Sequence, residues 1–479
     1  MRILIKNGRI IDPANNIDFV GDLLAVDGVV AEISKSVLCD ADEVIDASGC
    51  VVAPGFVDLH VHLRDPGFLH KETILTGQKA AARGGFTTIC AMPNTSPVTD
   101  SPEIVRYIID KSKKADIITP LTKPCAKIVA EFCSTARKYR RCALAVREEV
   151  LTQPVGQNCR QDCARFSERS NNDAAGAVNV LPVGSITLGQ NGAELSQIRE
   201  MVKEGICAIS EDGKTVADAN LLKEAMNIAK ELEIPVFSHC EDIELVKGGV
   251  INEGIKSAEY NLPGISNQSE DIIIERDIAL ARETGVKLHL CHVSTKGGVE
   301  LIRNAKARSE NVTAEVCPHH FVLSDSDIKE NDGKYKMNPP LRSWDDVNAL
   351  IKGLADNTIE VIATDHAPHH ETEKAGGFEK SAFGIAGLET AFALSYTYLC
   401  KPGHLTLPEL IKKLTVNPAN VLGIPRGTLS AGAAFDAVIL KTDEEFIIDV
   451  KKFESLGKNS PFDSYKLFGA VKRVFVSKL

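Results

Sequence analysis

The chain has 479 residues, of which 44% are hydrophobic and 25% charged, with a formal net charge of −10. That length allows one large domain with a smaller companion, or two to three ordinary domains, and the acidic balance argues against a nucleic-acid-binding surface. The opening MRILIKNGRIIDPANN lacks a signal peptide's apolar run, and no apolar stretch approaches the roughly 18–20 residues needed to span a membrane.

Residues 1–53 read as short strands with turns at KNG, DPANN and VDGVV. From there, apolar strands alternate with amphipathic helical stretches. The strands are predicted at 55–63, 86–92, 178–184, 205–210, 234–239, 286–293, 312–317 and 359–364. Helices are expected between them, for example over 218–233 and 269–285. Eight strands, each followed by a helix-length segment, is the count of a (β/α)8 TIM-type barrel over 54–425. An open doubly wound sheet is the alternative, but its Gly-rich phosphate turn after the first strand is absent. Residues 426–479 resemble the start, and the two ends are expected to pair into a small β-sandwich outside the barrel. One segment, 117–177, is far longer than a barrel connection needs. It carries Cys125, Cys133, Cys142, Cys159 and Cys163 at spacings that match no common ligand pattern, and reads as an insertion away from the catalytic face. The thirteen cysteines include no CxxC pair and several lie in apolar runs, which points to reduced thiols and a cytoplasmic protein.

Barrel chemistry gathers at the C-terminal ends of the strands. The first strand ends in GFVDLHVHLRDPG, where alternate positions bring His60, His62 and Arg64 to one side before Pro66 and Gly67. The second ends in AMPNT with Asn94, the fourth in SEDG with Glu211 and Asp212, and the fifth in FSHCED with His239. The sixth ends in CHVST with His292 and the eighth in ATDHAPHH with Asp365, His366, His369 and His370. Asn338 follows strand seven, in KMNPPLR. Four imidazoles and two carboxylates at one barrel mouth suit zinc or another borderline divalent metal. Six ligands suggest two metals sharing a carboxylate, an arrangement that activates a water and polarises a carbonyl. Spacing alone does not separate Glu211 from Asp212 as the bridge. His366 reads as a support. His70, His289 and His404 read as structural or exposed, Cys240 and Cys291 as packing residues, and His319 and His320 as possible neighbours of the site.

At these stretches, together with TAEVCPHH and FGIAGLET, the chain resembles the amidohydrolase superfamily and, within it, the bacterial-type class I dihydroorotases. The resemblance implies that His60, His62 and Asp365 hold one Zn2+, that His239 and His292 hold a second, and that Asp212 bridges them. It further implies that Arg64, Asn94 and His369 bind a substrate carboxylate, while Asn338 and the backbone at Phe383 and Gly384 bind a pyrimidine ring. Asp365 would shuttle the proton in reversible hydrolysis of (S)-dihydroorotate to N-carbamoyl-L-aspartate, a step of pyrimidine biosynthesis. The family expectation is a small-molecule substrate and a homodimer, with association with aspartate transcarbamoylase in its repertoire. The rival readings are a hydantoinase- or allantoinase-type cyclic amidase, and a metal-free scaffold for aspartate transcarbamoylase.

Overall fold

The computed structural model describes residues 1–114 and 178–477. The segment 117–177, read above as an insertion, lies outside the described residues.

The first strands are β1 (Arg2–Asp12), β2 (Ile17–Val26), β3 (Val29–Ser34), β4 (Glu43–Asp46) and β5 (Val51–Pro54). The barrel strands follow as β6 (Phe56–Val61), β7 (Phe86–Ala91), β8 (Asn179–Ser185), β9 (Ala208–Ser210) and β10 (Val236–Ser238). After a two-residue ladder of β11 (Ile251–Asn252) and β12 (Gly264–Ile265) come β13 (Leu288–Leu290), β14 (Val312–Val316) and β15 (Val361–Ile362). Two long strands, β16 (Ala437–Ile447) and β17 (Lys466–Phe475), end the described chain.

β6 to β10 and β13 to β15 form one eight-stranded sheet in chain order, and every neighbouring pair is parallel. The two edges meet through a parallel bridge between Val61 and His366, where His62 N–H donates to His366 O at 2.8 Å. The expected barrel is therefore nearly closed. Helices fall where the 3.6-residue periodicity put them: Ala219–Glu231, started by Asp218, and Gln268–Thr284, ended by Gly285 in the left-handed region.

Strand alternation sorts the side chains. Ile89, Ala91, Leu288, Leu290, Val312, Ala314 and Val316 belong to the large apolar cluster shared with the helices. A separate cluster takes Val57, Leu59, Cys90, Val183, Ala208, Phe237 and Val361 from six strands and fills the barrel interior. His289 and Glu315 occupy the complementary positions on β13 and β14 and are fully buried. Two polar groups thus stand inside the barrel.

Both chain ends do share one sheet. β5 pairs antiparallel with β16, β16 with β17, and β1 bonds to β2, β4 and β5, giving seven strands around their own apolar cluster, which includes Ile5, Leu23, Val52, Ile439 and Phe475. Gly55 links this sheet to the barrel. A Cβ there would lie 2.2 Å from Thr87 Cγ2, so the close approach of β5–β6 to β7 requires glycine.

Candidate active site

The six residues singled out as metal ligands converge at the C-terminal mouth of the barrel, all buried. β6 delivers His60, and His62 follows its last residue. The strand ends earlier than the alternation pattern predicted, at Val61. Arg64 reaches the site through a left-handed turn, with φ 60°, rather than by pointing along the strand. His292 (φ 33°) and Asp365 (φ 45°) also adopt left-handed backbone, which side chains with a Cβ hold only where the surroundings enforce it.

Asp212 sits at the centre. Its Oδ1 lies 3.1 Å from His60 Nε2, 3.6 Å from His239 Nδ1 and 3.8 Å from His292 Nε2, and its Oδ2 lies 3.5 Å from His62 Nε2. Asp365 Oδ1 is 3.0 Å from His62 Nε2 and 3.6 Å from His60 Nε2. Two donor groups, His60–His62–Asp212 and Asp212–His239–His292, each keep their ligand atoms within 4.8 Å of one another and share Asp212. Glu211, its rival in sequence, is turned away: its carboxylate accepts Thr187 N–H at 3.0 Å and the Thr187 and Ser185 hydroxyls.

His60 Nε2, Asp212 Oδ1 and His239 Nε2 are buried with no hydrogen-bond partner. A buried unpaired polar atom costs about 1–3 kcal/mol. Three of them on one imidazole–carboxylate cluster are what a divalent cation would relieve, so the donor set fits a metal pair. The electrostatics agree. Burial opposes charge on Asp212 and Asp365, yet the surrounding histidines hold both carboxyls below the usual carboxylate range. Burial also opposes charge on His239, but Asp212 and Glu241 push it up to about 10. Carboxylates that draw protons onto imidazoles in this way offer the same negative field to a cation.

Some of what orients the ligands has no counterpart in the sequence reading. Glu315 Oε1 accepts from His60 Nδ1 at 2.8 Å and Oε2 from His289 Nε2 at 3.0 Å. Burial opposes its charge, but the two histidines hold it down to about 2. His289, expected to be structural, is thus tied to a ligand through Glu315, and Cys291 lies in the same His60–Glu315 cluster. Carboxylates of this kind fix the tautomer and aim of a metal-binding imidazole. The available signal was a charged residue inside the apolar strand TAEV. Glu241 pairs with His239 at 3.6 Å and accepts from Asn338 Nδ2 at 2.8 Å, which carries Asn338 into the site.

The residues expected to bind substrate line the same mouth. Asn94 Oδ1 lies 2.8 Å from His62 Nδ1, and Asn94 Nδ2 donates to Asp212 Oδ2 at 3.2 Å. Arg64 is half-buried, with Nε donating to Pro368 O at 3.3 Å. His369 Nε2 is 2.8 Å from Phe383 O and its Nδ1 is 3.4 Å from Lys71 Nζ. These contacts assign the ring proton to Nε2, so the nearby Arg64 Nη2, at 3.2 Å, finds no acceptor there and stays available. Burial and the cations Arg64, Lys71 and Lys374 lower His369 to about 3, so its ring is neutral. Gly384 has φ 124°, and a Cβ would meet Ala367 Cβ at 2.6 Å. The loop at Phe383–Gly384 is stapled by Lys374, whose ammonium donates to Lys336 O, Ala382 O and Gly384 O at 2.7–2.9 Å.

His366 is buried next to Asp365, its Nδ1 accepting Gly387 N–H at 3.1 Å. His70, His370 and His404 are exposed.

The Amidohydrolase family profile matches residues 51–477. The chain is 44% identical to a dihydroorotase of Acetivibrio thermocellus over 475 residues, 99% of this chain and 97% of that one. It is 41% identical to a dihydroorotase of Ruminiclostridium cellulolyticum over 469 residues, 98% and 96% of the two chains. Among solved structures, L-hydantoinase (dihydropyrimidinase) from Arthrobacter aurescens superposes with a TM-score of 0.77 at 25% identity, covering 99% of this chain and 96% of the other. A dihydropyrimidinase from Brevibacillus agri superposes with a TM-score of 0.73 at 20% identity, over 99% and 94%, and shares the fold.

Proposed function

The chain belongs to the amidohydrolase family and, within it, to the dihydroorotases, and from that premise we propose that it interconverts (S)-dihydroorotate and N-carbamoyl-L-aspartate. The observation that carries this reading is the joining of two features in one mouth. One is a six-ligand cluster with three orphaned buried atoms; the other is a half-buried Arg64 whose Nη2 has no acceptor on His369.

In this reading His60, His62 and Asp365 would hold one Zn2+ and His239 and His292 the other, with Asp212 as the ligand common to both. The bound pair supplies a water of lowered pKa and polarisation of the ring amide carbonyl. Asp365, charged across the physiological range, accepts the proton of the attacking water and returns it to the departing ring nitrogen as the C–N bond breaks. Arg64 pairs with the substrate carboxylate, and Asn94 and His369 complete that anchor as neutral donors, His369 by turning its Nε2–H from Phe383 O to the substrate. Asn338 and the backbone at Phe383 and Gly384 hold the ring, with Gly384 shaped for close approach. Each of these residues orients rather than reacts; Asp365 alone moves a proton.

The division at residues 54 and 425, a homodimer, an association with aspartate transcarbamoylase and a cytoplasmic setting belong to the same reading. The eight free cysteines among the described residues support the last of these, and light scattering with and without aspartate transcarbamoylase tests the assembly. A metal-free scaffold fits poorly, because all six ligands converge. The deciding assay is hydrolysis of dihydroorotate with and without chelator, beside dihydrouracil, which lacks the carboxylate. Chelator-sensitive turnover of dihydroorotate alone supports the proposal. Preferred turnover of dihydrouracil would instead favour a hydantoinase-type amidase, the activity named for the structural neighbour from Arthrobacter aurescens.

A further inference from the structure

Beyond β14 the chain turns at Cys317 into the short helix Pro318–Val322. The side chains of Cys317, His319 and His320 are all buried, and a ligand atom of each lies within 4.8 Å of the other two. None of the three belongs to the six-residue cluster. His320 Nε2 donates to Pro339 O at 2.9 Å, which places the ring proton on Nε2 and leaves Nδ1 with a bare lone pair. That Nδ1, and His319 Nε2, are buried with no hydrogen-bond partner.

We propose that Cys317, His319 and His320 form a separate site for one thiolate-seeking divalent cation of the zinc type. One sulfur and two imidazole nitrogens is the donor set of that class rather than of magnesium or calcium. The Pro339 carbonyl plays the part usual for a metal-bound imidazole, fixing the tautomer from the far side of the ring. Both rings are already in the neutral form that ligation requires, since burial pulls His319 down to about 4 and His320 well below its ordinary value. Burial keeps Cys317 a thiol in the absence of a cation. On binding, the sulfur–hydrogen bond breaks, its electron pair goes to the metal and its proton leaves to solvent. Two orphaned nitrogens are satisfied at once. The inference does not depend on the substrate of the barrel mouth.

Cobalt(II) separates this site from the neighbouring one, because thiolate ligands give an intense near-ultraviolet charge-transfer band that nitrogen and oxygen ligands do not. The full-length protein is stripped of metal, verified free of zinc and reloaded with cobalt(II). Spectra and metal content are then compared for the parent, Cys317→Ser, His319→Gln, Cys291→Ser and Cys240→Ser. The proposal expects Cys317→Ser to lose the band together with one equivalent of metal, His319→Gln to weaken or shift it, and the other two variants to keep it. A parent spectrum no different from that of Cys317→Ser, with equal metal content, overturns it. So does a band that disappears with Cys291→Ser or Cys240→Ser instead. Should Cys317→Ser fail to fold, His319→Gln decides: an unchanged band and metal content overturn the site.

Discussion

Glu315→Gln is the sharpest test of how the barrel interior serves its mouth. The carboxylate is fully buried on β14 and receives His60 Nδ1 at 2.8 Å, His289 Nε2 at 3.0 Å and His292 N–H at 3.3 Å. Glutamine has nearly the same shape but only one acceptor atom, and its amide hydrogens would face the N–H of His60 or His289. Two hydrogen bonds to a charged group, each worth about 1.5–3 kcal/mol, are thereby weakened or broken, and about 3–6 kcal/mol bounds the loss of stability. His60 also loses the partner that fixes its tautomer, which typically lowers metal affinity about 10- to 100-fold. The assay is a chelator titration followed by metal analysis, with kcat measured at excess metal. The metal should leave at about 10- to 100-fold lower chelator, the melting temperature should fall, and excess metal should restore most of kcat. A variant that keeps its metal at the wild-type chelator midpoint and melts with the wild type would refute the role assigned to Glu315.

Asp365→Asn should fold and retain most of its metal, yet lose about 10²–10⁴-fold in kcat as the proton carrier disappears; more than a tenth of wild-type activity in a metal-replete sample would contradict this. Arg64→Met should raise KM for dihydroorotate about ten- to a hundredfold with metal content unchanged, and an apo variant would point to a structural role instead. Lys374→Met removes three donors from the loop carrying Phe383 and Gly384; KM should rise more than kcat falls, and a change confined to kcat would count against the loop as ring-binding backbone. His369 is lowered from 6.5 to about 3 in the fold, so between those values the unfolded chain binds the extra proton and stability falls as pH falls. His369→Gln should therefore lose less stability than wild type between about pH 6.5 and 4, measured by denaturant midpoints; parallel pH profiles would show that the ring is protonated in the native state.

The sequence by itself determined the barrel, because eight apolar strands alternating with amphipathic helices can bury their surfaces in few other ways. It also marked the candidate ligands, since His60, His62, His239, His292, Asp365 and one of the adjacent pair Glu211 and Asp212 fall at strand ends, which the fold must bring to one mouth. The pairing of the two chain ends was legible in their shared strand-and-turn pattern. Tertiary structure decided what spacing leaves degenerate. Glu211 and Asp212 are adjacent, and only the turn of the backbone after β9 shows Glu211 spent on Thr187 while Asp212 faces four imidazoles. The strand period placed Arg64 beside His62, but the strand stops at Val61 and a left-handed residue delivers the guanidinium. Glu315 meets His60, 255 residues away, and Glu241 ties His239 to Asn338, 97 residues away. Local periodicity records which face of an element a residue occupies. Which distant group meets it there is fixed only when the barrel closes.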